Sequence, residues 1–238
     1  MGCKSHHSDM ENVKQTFEEM AGEFDAIIRR LIPDYAQMVE ALIAALPFDS
    51  DRDTSMIDLG CGTGTISHRV LTEFPNTEIT CVDIAENMLA IARQKLERFP
   101  TTRYQVGNFE TYDFDSTYDA ALSSLALHHL KTDEDKQQFY QKIYDNLNPG
   151  GVFYNADVVL ASSDRLQQMY MNRWKDFMKK QVCQEEIENK WIPKYYEEDR
   201  PAILCHQLSW LEAIGFKEVD IIWKYYNFAV YGGRKPHS

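Results

Sequence analysis

The chain has no C-x-x-C pair, no Gly/Ser-rich tract, no internal repeat and no long apolar run, and each absence removes a class of protein. Its 5 cysteines, at positions 3, 61, 81, 183 and 205, are odd in number and scattered. That spacing fits neither a disulfide framework nor a zinc ribbon, and it points to reduced thiols in a cytoplasmic protein. The longest apolar stretches, such as residues 41–47, are far too short to span a bilayer. The first residues lack the charged, apolar and small-residue order of a secretory signal. Met1-Gly2-Cys3-Lys4-Ser5 is only superficially like an acylation signal, because position 6 holds His6 where a hydroxyl is needed. Residues 1–8 therefore read as a flexible tail, with His6-His7 offering too few ligands for a useful metal site.

Positive charge is scarce as well. There are 25 Lys and Arg against 37 Asp and Glu, a net charge of −12, with no basic cluster beyond pairs such as Arg29-Arg30 and Lys179-Lys180. Polyanion binding draws most of its affinity from phosphate neutralisation, so a nucleic-acid partner is disfavoured unless the fold itself assembles a basic patch. A small or neutral partner is favoured, with the chain acting as a monomer or homodimer.

What is present is enough for one α/β domain: 238 residues, 44% of them apolar. Strand patterns near 55–60, 78–83, 103–107, 118–124 and 151–158 alternate with helical patterns near 64–73, 86–98 and 132–147. Such alternation specifies a parallel sheet covered by helices on both faces. Phe99-Pro100 and Asn148-Pro149-Gly150-Gly151 read as helix stops. A helix near 203–214 ends at Gly215, and 216–225 with 227–231 reads as a terminal β-hairpin. The chain divides into an N-terminal helical cap (9–50), a core (54–160), a helical lid after the fifth strand (161–200) and a C-terminal helix with hairpin (201–238).

The run Ile57-Asp58-Leu59-Gly60-Cys61-Gly62-Thr63-Gly64-Thr65 joins a buried strand to a helix through three alternating glycines. Glycines at 60, 62 and 64 let the backbone turn sharply and approach a ligand closely. Loops of this kind usually seat a pyrophosphate on helix N-terminal amides. Here the spacing is G-x-G-x-G rather than G-x-G-x-x-G, and Asp58 places a carboxylate where it would repel phosphate. That carboxylate suits instead the ammonium and sulfonium charges of S-adenosylmethionine. A second strand then ends in Asp83, about 20 positions on, where a carboxylate accepts both ribose hydroxyls. The same residue would also serve as a cap for the helix that begins at Glu86.

Taken in order, Asp58 to Gly64, Val82-Asp83-Ile84-Ala85-Glu86-Asn87-Met88-Leu89, Gly107-Asn108-Phe109, Tyr118 to Ser124 and Leu147-Asn148-Pro149-Gly150-Gly151 resemble the motifs of class I S-adenosylmethionine-dependent methyltransferases. The resemblance is strong over residues 54–160 and weaker on both flanks. Arg29-Arg30-Leu31-Ile32-Pro33-Asp34-Tyr35 is similar to a stretch in bacterial and archaeal small-molecule methyltransferases. The resemblance implies a Rossmann-like, seven-stranded sheet of order 3-2-1-4-5-7-6 with strand 7 antiparallel. It implies S-adenosylmethionine as cofactor, S-adenosylhomocysteine as product, and a seat made by Asp58, Gly60, Cys61, Gly62, Gly64 and Asp83. Ile84 and Met88 would pack on the adenosine, although Met88 also fits a helix core stripe. Asn108, where the family often has Asp, would meet the adenine with Phe109 covering the ring, or else would be an ordinary turn residue. Ser124 and Leu125 end the fourth strand, which in the family passes beneath the methionine part.

His128 and His129 follow that strand. Either would remove a proton from a hydroxyl, amine or thiol acceptor, or would orient the loop and cap the next helix. Methyl transfer otherwise asks mainly for alignment and exclusion of water, and no metal is expected. For the acceptor, Tyr35, Tyr170, Trp174 and Trp191 are the expected contacts, with Arg30 pairing a carboxylate or facing solvent. Aromatic stripes of this kind also fill cores. The expected activity is transfer of the sulfonium methyl to O, N, S or C of a small, aromatic or apolar acceptor. A carboxy-S-adenosylmethionine synthase of tRNA modification and a non-catalytic cofactor-binding regulator are the alternatives, and a dehydrogenase is the least favoured reading.

Overall fold

The strand Thr54–Leu59 (β1) buries every residue but Ser55, the pattern of a central parallel strand covered on both faces. In the computed structural model, which describes residues 9–237, β1 lies between β2 (Thr77–Asp83) and β4 (Tyr118–Ser124). With β3 (Thr102–Val106), β5 (Leu147–Val158), β6 (Lys217–Tyr225) and β7 (Phe228–Arg234) the sheet has the order β3-β2-β1-β4-β5-β7-β6. The first five strands are parallel, and β7 runs antiparallel to both β5 and β6. The expected seven-stranded, Rossmann-like sheet is thus present.

Successive residues of β1 feed opposite layers. Met56 packs with Met38 and Leu42 of α3 (Tyr35–Ala44) and with Ile66 and Val70 of α4 (Thr65–Glu73). Ile57 and Leu59 join Phe139, Tyr140 and Ile143 of α6 (Asp133–Asp145) and Leu211 of α10 (Leu204–Ile214). The α6 N-terminus is closed by a capping box in which Thr132 and Asp135 each accept from the other's backbone N–H. The fifth strand begins at Leu147, earlier than the expected 151. Its pairing with β4 jumps from Tyr118↔Leu147 to Ala120↔Val152, so 148–151 forms an irregularity inside the strand, where a proline owes the ladder no N–H.

Two helical layers flank the carboxyl ends of the parallel strands. One is α1 (Asp9–Met20), a 3₁₀ turn and α2 (Phe24–Leu31). The other is α7 (Asp164–Met178), then α8 (Gln184–Glu186) continuing through a π turn at Ile187–Trp191 into α9 (Ile192–Glu198). They are tied together: Trp174 Nε1–H donates to the Leu31 carbonyl at 2.7 Å, and the Thr16 hydroxyl to Glu198 at 2.9 Å. Glu18 of α1 also accepts from the backbone N–H groups of Glu86 and Asn87, the first turn of α5 (Glu86–Lys95). The expected tail at 1–8, with His6-His7, lies outside the described residues. Among those described, no helix is long and apolar enough to cross a membrane.

Candidate active site

The glycine loop is built by main-chain bonds before any side chain takes part. Gly60 and Cys61 N–H both donate to the Val82 carbonyl, at 2.8 and 2.9 Å, which ties the end of β1 to β2. Gly60 adopts φ 75°, and a Cβ there would overlap the Ala126 methyl. Gly64, at φ 79°, caps α4 and lets that helix close on α5, where an added Cβ would stand 3.1 Å from Ala92. Gly62 N–H donates to Asp83 Oδ2 at 2.8 Å, and Ala85 N–H to Oδ1 at 2.9 Å. Asp83 therefore shapes the loop and the start of α5 at once. Burial pushes its pKa up to about 6 against those two donors.

Beneath the loop, Asp58 is fully buried. Its Oδ2 accepts from the Ser67 hydroxyl at 2.6 Å, while Oδ1 has no partner among the described residues. Burial raises its pKa to about 7, which the Ser67 bond opposes and the nearby Asp83 charge reinforces. A further clamp comes from α2: Asp25 accepts from Thr63 at 2.5 Å and pairs with Lys95 at 2.6 Å, holding the far side of the loop.

These elements enclose a cleft of about 730 Å³. Gly60, Cys61, Gly62, Asp83, Ile84, Met88, Phe109, Ser124 and Leu125 line it, as does Tyr35, under a roof from α1 and α2 that includes Phe17 and Phe24. Neither lysine nor arginine is among the described residues on its walls. A pyrophosphate would meet no cation there, whereas a ribose diol and a cationic amino acid meet acceptors. On that chemistry the cleft fits S-adenosylmethionine.

A second cavity, of about 780 Å³, opens beside the first. Its walls are apolar and aromatic, from Ile28 and Leu31 of α2, Trp174 of α7, Trp191, Tyr195 and Phe228. One corner is charged and holds His128, Lys194, Glu198 and Asp199. Phe17, Phe24, Leu125 and His129 line both cavities, so these four form the seam between them. Leu125 makes that seam at φ 53°, a conformation costly for leucine and held by its N–H bond to Ala156.

His129 at the seam and His128 beside it differ in charge. Burial works against a charge on His128, yet the carboxylates of Asp157 and Asp199 outweigh it and raise its pKa to about 10. Its Nδ1 lies 2.5 Å from Asp157, and its Nε2 3.4 Å from Asp199. For His129, burial and the neighbouring His128 charge lower the pKa to about 4. His129 Nδ1 lies 3.3 Å from the Glu198 carbonyl, so that nitrogen carries the proton; Nε2, an acceptor, has no partner among the described residues.

Residues 57–153 match the family model of a methyltransferase domain. The sheet around that match has the fold of class I, S-adenosylmethionine-dependent methyltransferases. Over 97% of its length the chain is 25% identical to a carboxy-S-adenosyl-L-methionine synthase from Nautilia profundicola, 98% of which is covered. It is 27% identical over 146 residues to malonyl-[acyl-carrier protein] O-methyltransferase 1 of Ilyobacter polytropus, covering 60% of this chain and 50% of that protein. Among solved structures, the DhpI–SAM–HEP complex superposes with a TM-score of 0.66 at 17% identity, covering 98% of this chain and all of the other. That likeness is one of fold.

Not every residue expected in the site lines it. Asp58 and Gly64 act from below and behind the loop. Asn108 is turned away; its Oδ1 accepts from Glu110 N–H at 3.0 Å, the turn role. Tyr35 lies on the cofactor side rather than with the acceptor. Arg30 is exposed and donates to the Gln181 carbonyl, outside both cavities. Tyr170 sits against Lys224 and Tyr226, also outside them. Both departures follow from helix geometry: 3.6-residue spacing marks a face but not the depth at which each residue on it meets a neighbour. Conversely, Asp157, Lys194, Glu198 and Asp199 belong to the site without any local motif to flag them.

Proposed function

We propose that the protein transfers the methyl group of S-adenosylmethionine to a nucleophilic atom, most simply oxygen, of a small aromatic or apolar acceptor held in the second cavity. The observation that carries this reading is the seam: a cleft suited to the cofactor and an aromatic chamber share one wall, and an uncharged imidazole stands in it. When bound, S-adenosylmethionine supplies a methyl carbon made electrophilic by its sulfonium. Gly60, Gly62, Asp83 and Phe109 would hold it, with Asp83 accepting from ribose hydroxyls while its other lone pairs stay on Gly62 and Ala85. Asp58 contributes charge from beneath the loop.

His129 Nε2 takes the acceptor's proton as the new bond to carbon forms. A base of such low proton affinity is wholly in its acceptor form at neutral pH, and it suits an acidic hydroxyl such as a phenol or enol. Leu125, Phe17 and Phe24 keep water from the line of transfer, and Trp174 and Trp191 give an acceptor ring flat apolar walls.

A second reading has support of its own. The Nautilia protein named a carboxy-S-adenosyl-L-methionine synthase aligns along almost the whole chain. Such chemistry needs a cation for an added carboxylate, and Lys194 is the one lysine or arginine among the described residues lining the acceptor chamber. Lys194 is drawn toward Glu198, 4.0 Å away. Incubation with methyl-labelled S-adenosylmethionine and a metabolite mixture that holds both small phenols or enols and carboxylic acids able to give up a carboxyl group, followed by mass spectrometry, separates the two. Labelled methylated product, reduced about 10²–10⁴-fold in rate by His129→Ala, is expected. A cofactor gaining a carboxyl group, with no labelled acceptor, would overturn methyl transfer.

A further inference from the structure

We propose that His128, His129 and Asp199 form a binding site for a divalent transition-metal ion of the zinc type, at the point where the acceptor chamber meets the cofactor cleft. The donors are already gathered. His128 Nε2 lies 3.4 Å and His129 Nδ1 3.7 Å from Asp199 Oδ1, and one ligand atom from each of the three residues falls within 4.8 Å of the others. A tetrahedral ion with bonds of about 2.0–2.2 Å holds its donors about 3.3–3.6 Å apart. Two edges of that figure are present to within small side-chain movements.

The donor set has the composition of a reactive rather than a purely structural site. Two imidazoles and one carboxylate leave a fourth position, and all three residues line the acceptor chamber, toward which that position opens. The supporting shell is also in place. His128 Nδ1 faces Asp157 Oδ1, which fixes Nε2 as the ligand nitrogen. Asp157 is in turn held by the backbone N–H groups of His128 and Val158 and by the Asn155 amide. Two carboxylates, Asp157 buried and Asp199 half-buried, thus converge on one imidazole, an excess of negative charge that a dication would balance.

Binding requires the His128 imidazolium to lose its Nε2 proton to solvent in exchange for the ion, and His129 Nδ1 to release its proton and its long bond to the Glu198 carbonyl. The His129 proton then resides on Nε2, and His129 changes from an acceptor at the seam to a donor. The ion would take an oxygen of the acceptor and lower its pKa, which supplies the deprotonation otherwise assigned to His129. That role rests on the methyl-transfer reading; the binding of the ion does not.

The test uses the full chain in a His6→Ala, His7→Ala background, stripped with a chelator and then titrated with Zn²⁺ by calorimetry and with Co²⁺ by visible absorption. One ion per chain with the intense bands of four-coordinate Co²⁺ is expected. Asp157→Asn should weaken the affinity about 10–100-fold as a supporting residue. Asp199→Asn, which keeps the shape and hydrogen-bonding reach of a partly exposed residue, should weaken it at least as much. Circular dichroism and the affinity for S-adenosylhomocysteine, both unchanged in Asp199→Asn, show that the variant is folded. Zn²⁺ binding that is absent below millimolar concentration, or that persists at parental strength in folded Asp199→Asn and in His129→Ala, would overturn the site. Methyl transfer undiminished by the chelator, with the ion shown to bind, would leave the site standing and remove its catalytic role.

Discussion

The cofactor cleft and the acceptor chamber share a wall but are made from different material. The floor of the cleft is main chain: amides of Gly60, Cys61 and Gly62 held by β2 and closed by the Asp83 carboxylate, from two short segments at the ends of β1 and β2. The chamber is made of side chains from α1, α2, α7, α9 and β7, segments that meet only after folding. A main-chain cradle tolerates side-chain change yet has no room for a Cβ at its tightest point. A side-chain chamber is reshaped by almost any substitution.

The largest effect is expected where the cradle is tightest. Gly60→Ala places a methyl on the Ala126 methyl at φ 75° and should cost about 1–3 kcal/mol in overpacking, with further strain from the left-handed backbone. Calorimetry should then show S-adenosylhomocysteine affinity reduced at least about 100-fold, since 1.4 kcal/mol is tenfold. An apolar fluorescent probe of the chamber should bind as before. Cofactor affinity within threefold of the parent would break the comparison.

Asp83→Asn should cost about 1–3 kcal/mol of cofactor affinity through lost charge-assisted hydrogen bonds. The parental affinity should also decline as pH falls below about 6, because a protonated Asp83 loses acceptor capacity. Asp58, at about 7, and the Glu18 charge beside Asp83 belong to the same set, so the variant reduces the slope rather than removing it. Stability of the free protein moves the other way. With native pKa values above those of the unfolded chain, Asp58 and Asp83 bind protons more tightly when folded, and their contribution improves as pH falls from about 7 to 4. Equal pH slopes in parent and Asp83→Asn would show that the ribose assignment is wrong.

On the chamber side effects should be smaller and confined to the acceptor. Trp174→Phe removes the bond to the Leu31 carbonyl, about 0.5–1.5 kcal/mol, and should raise the acceptor KM several-fold with cofactor affinity intact. Tyr170→Phe and Arg30→Ala, outside both cavities, should leave KM within about twofold, in line with ordinary surface substitutions. A larger change for Tyr170 than for Trp174 would reverse the assignment of walls.

The same division explains what was legible in the sequence. The strand–helix alternation, the glycine loop and Asp83 depend on residues close together along the chain, so spacing exposes them, and the sheet order follows from the family resemblance that those motifs carry. The seam does not, because Phe17, Asp157 and Asp199 come from segments whose meeting no local pattern records. Asn108 followed the motif but serves its own turn. Arg30 and Tyr170 stood on helices expected near the acceptor, yet their side chains reach other partners. Pro149 and the following glycines carried the composition of a helix stop, and α6 does end just before them at Asp145, but they also occupy an irregular stretch of β5 beside β4, which composition did not show.

The carboxylate of Glu18 answers two backbone donors at the head of α5, and α1, which carries it, also roofs the cleft. Raising that roof to exchange spent cofactor for fresh therefore unbinds the first turn of a helix that carries Met88 and follows Ile84, both of which border the cleft. Door and hinge post share one bolt. Turnover would then be paced by how often that bolt slips, and a residue that touches no reactant would set the clock of the whole cycle.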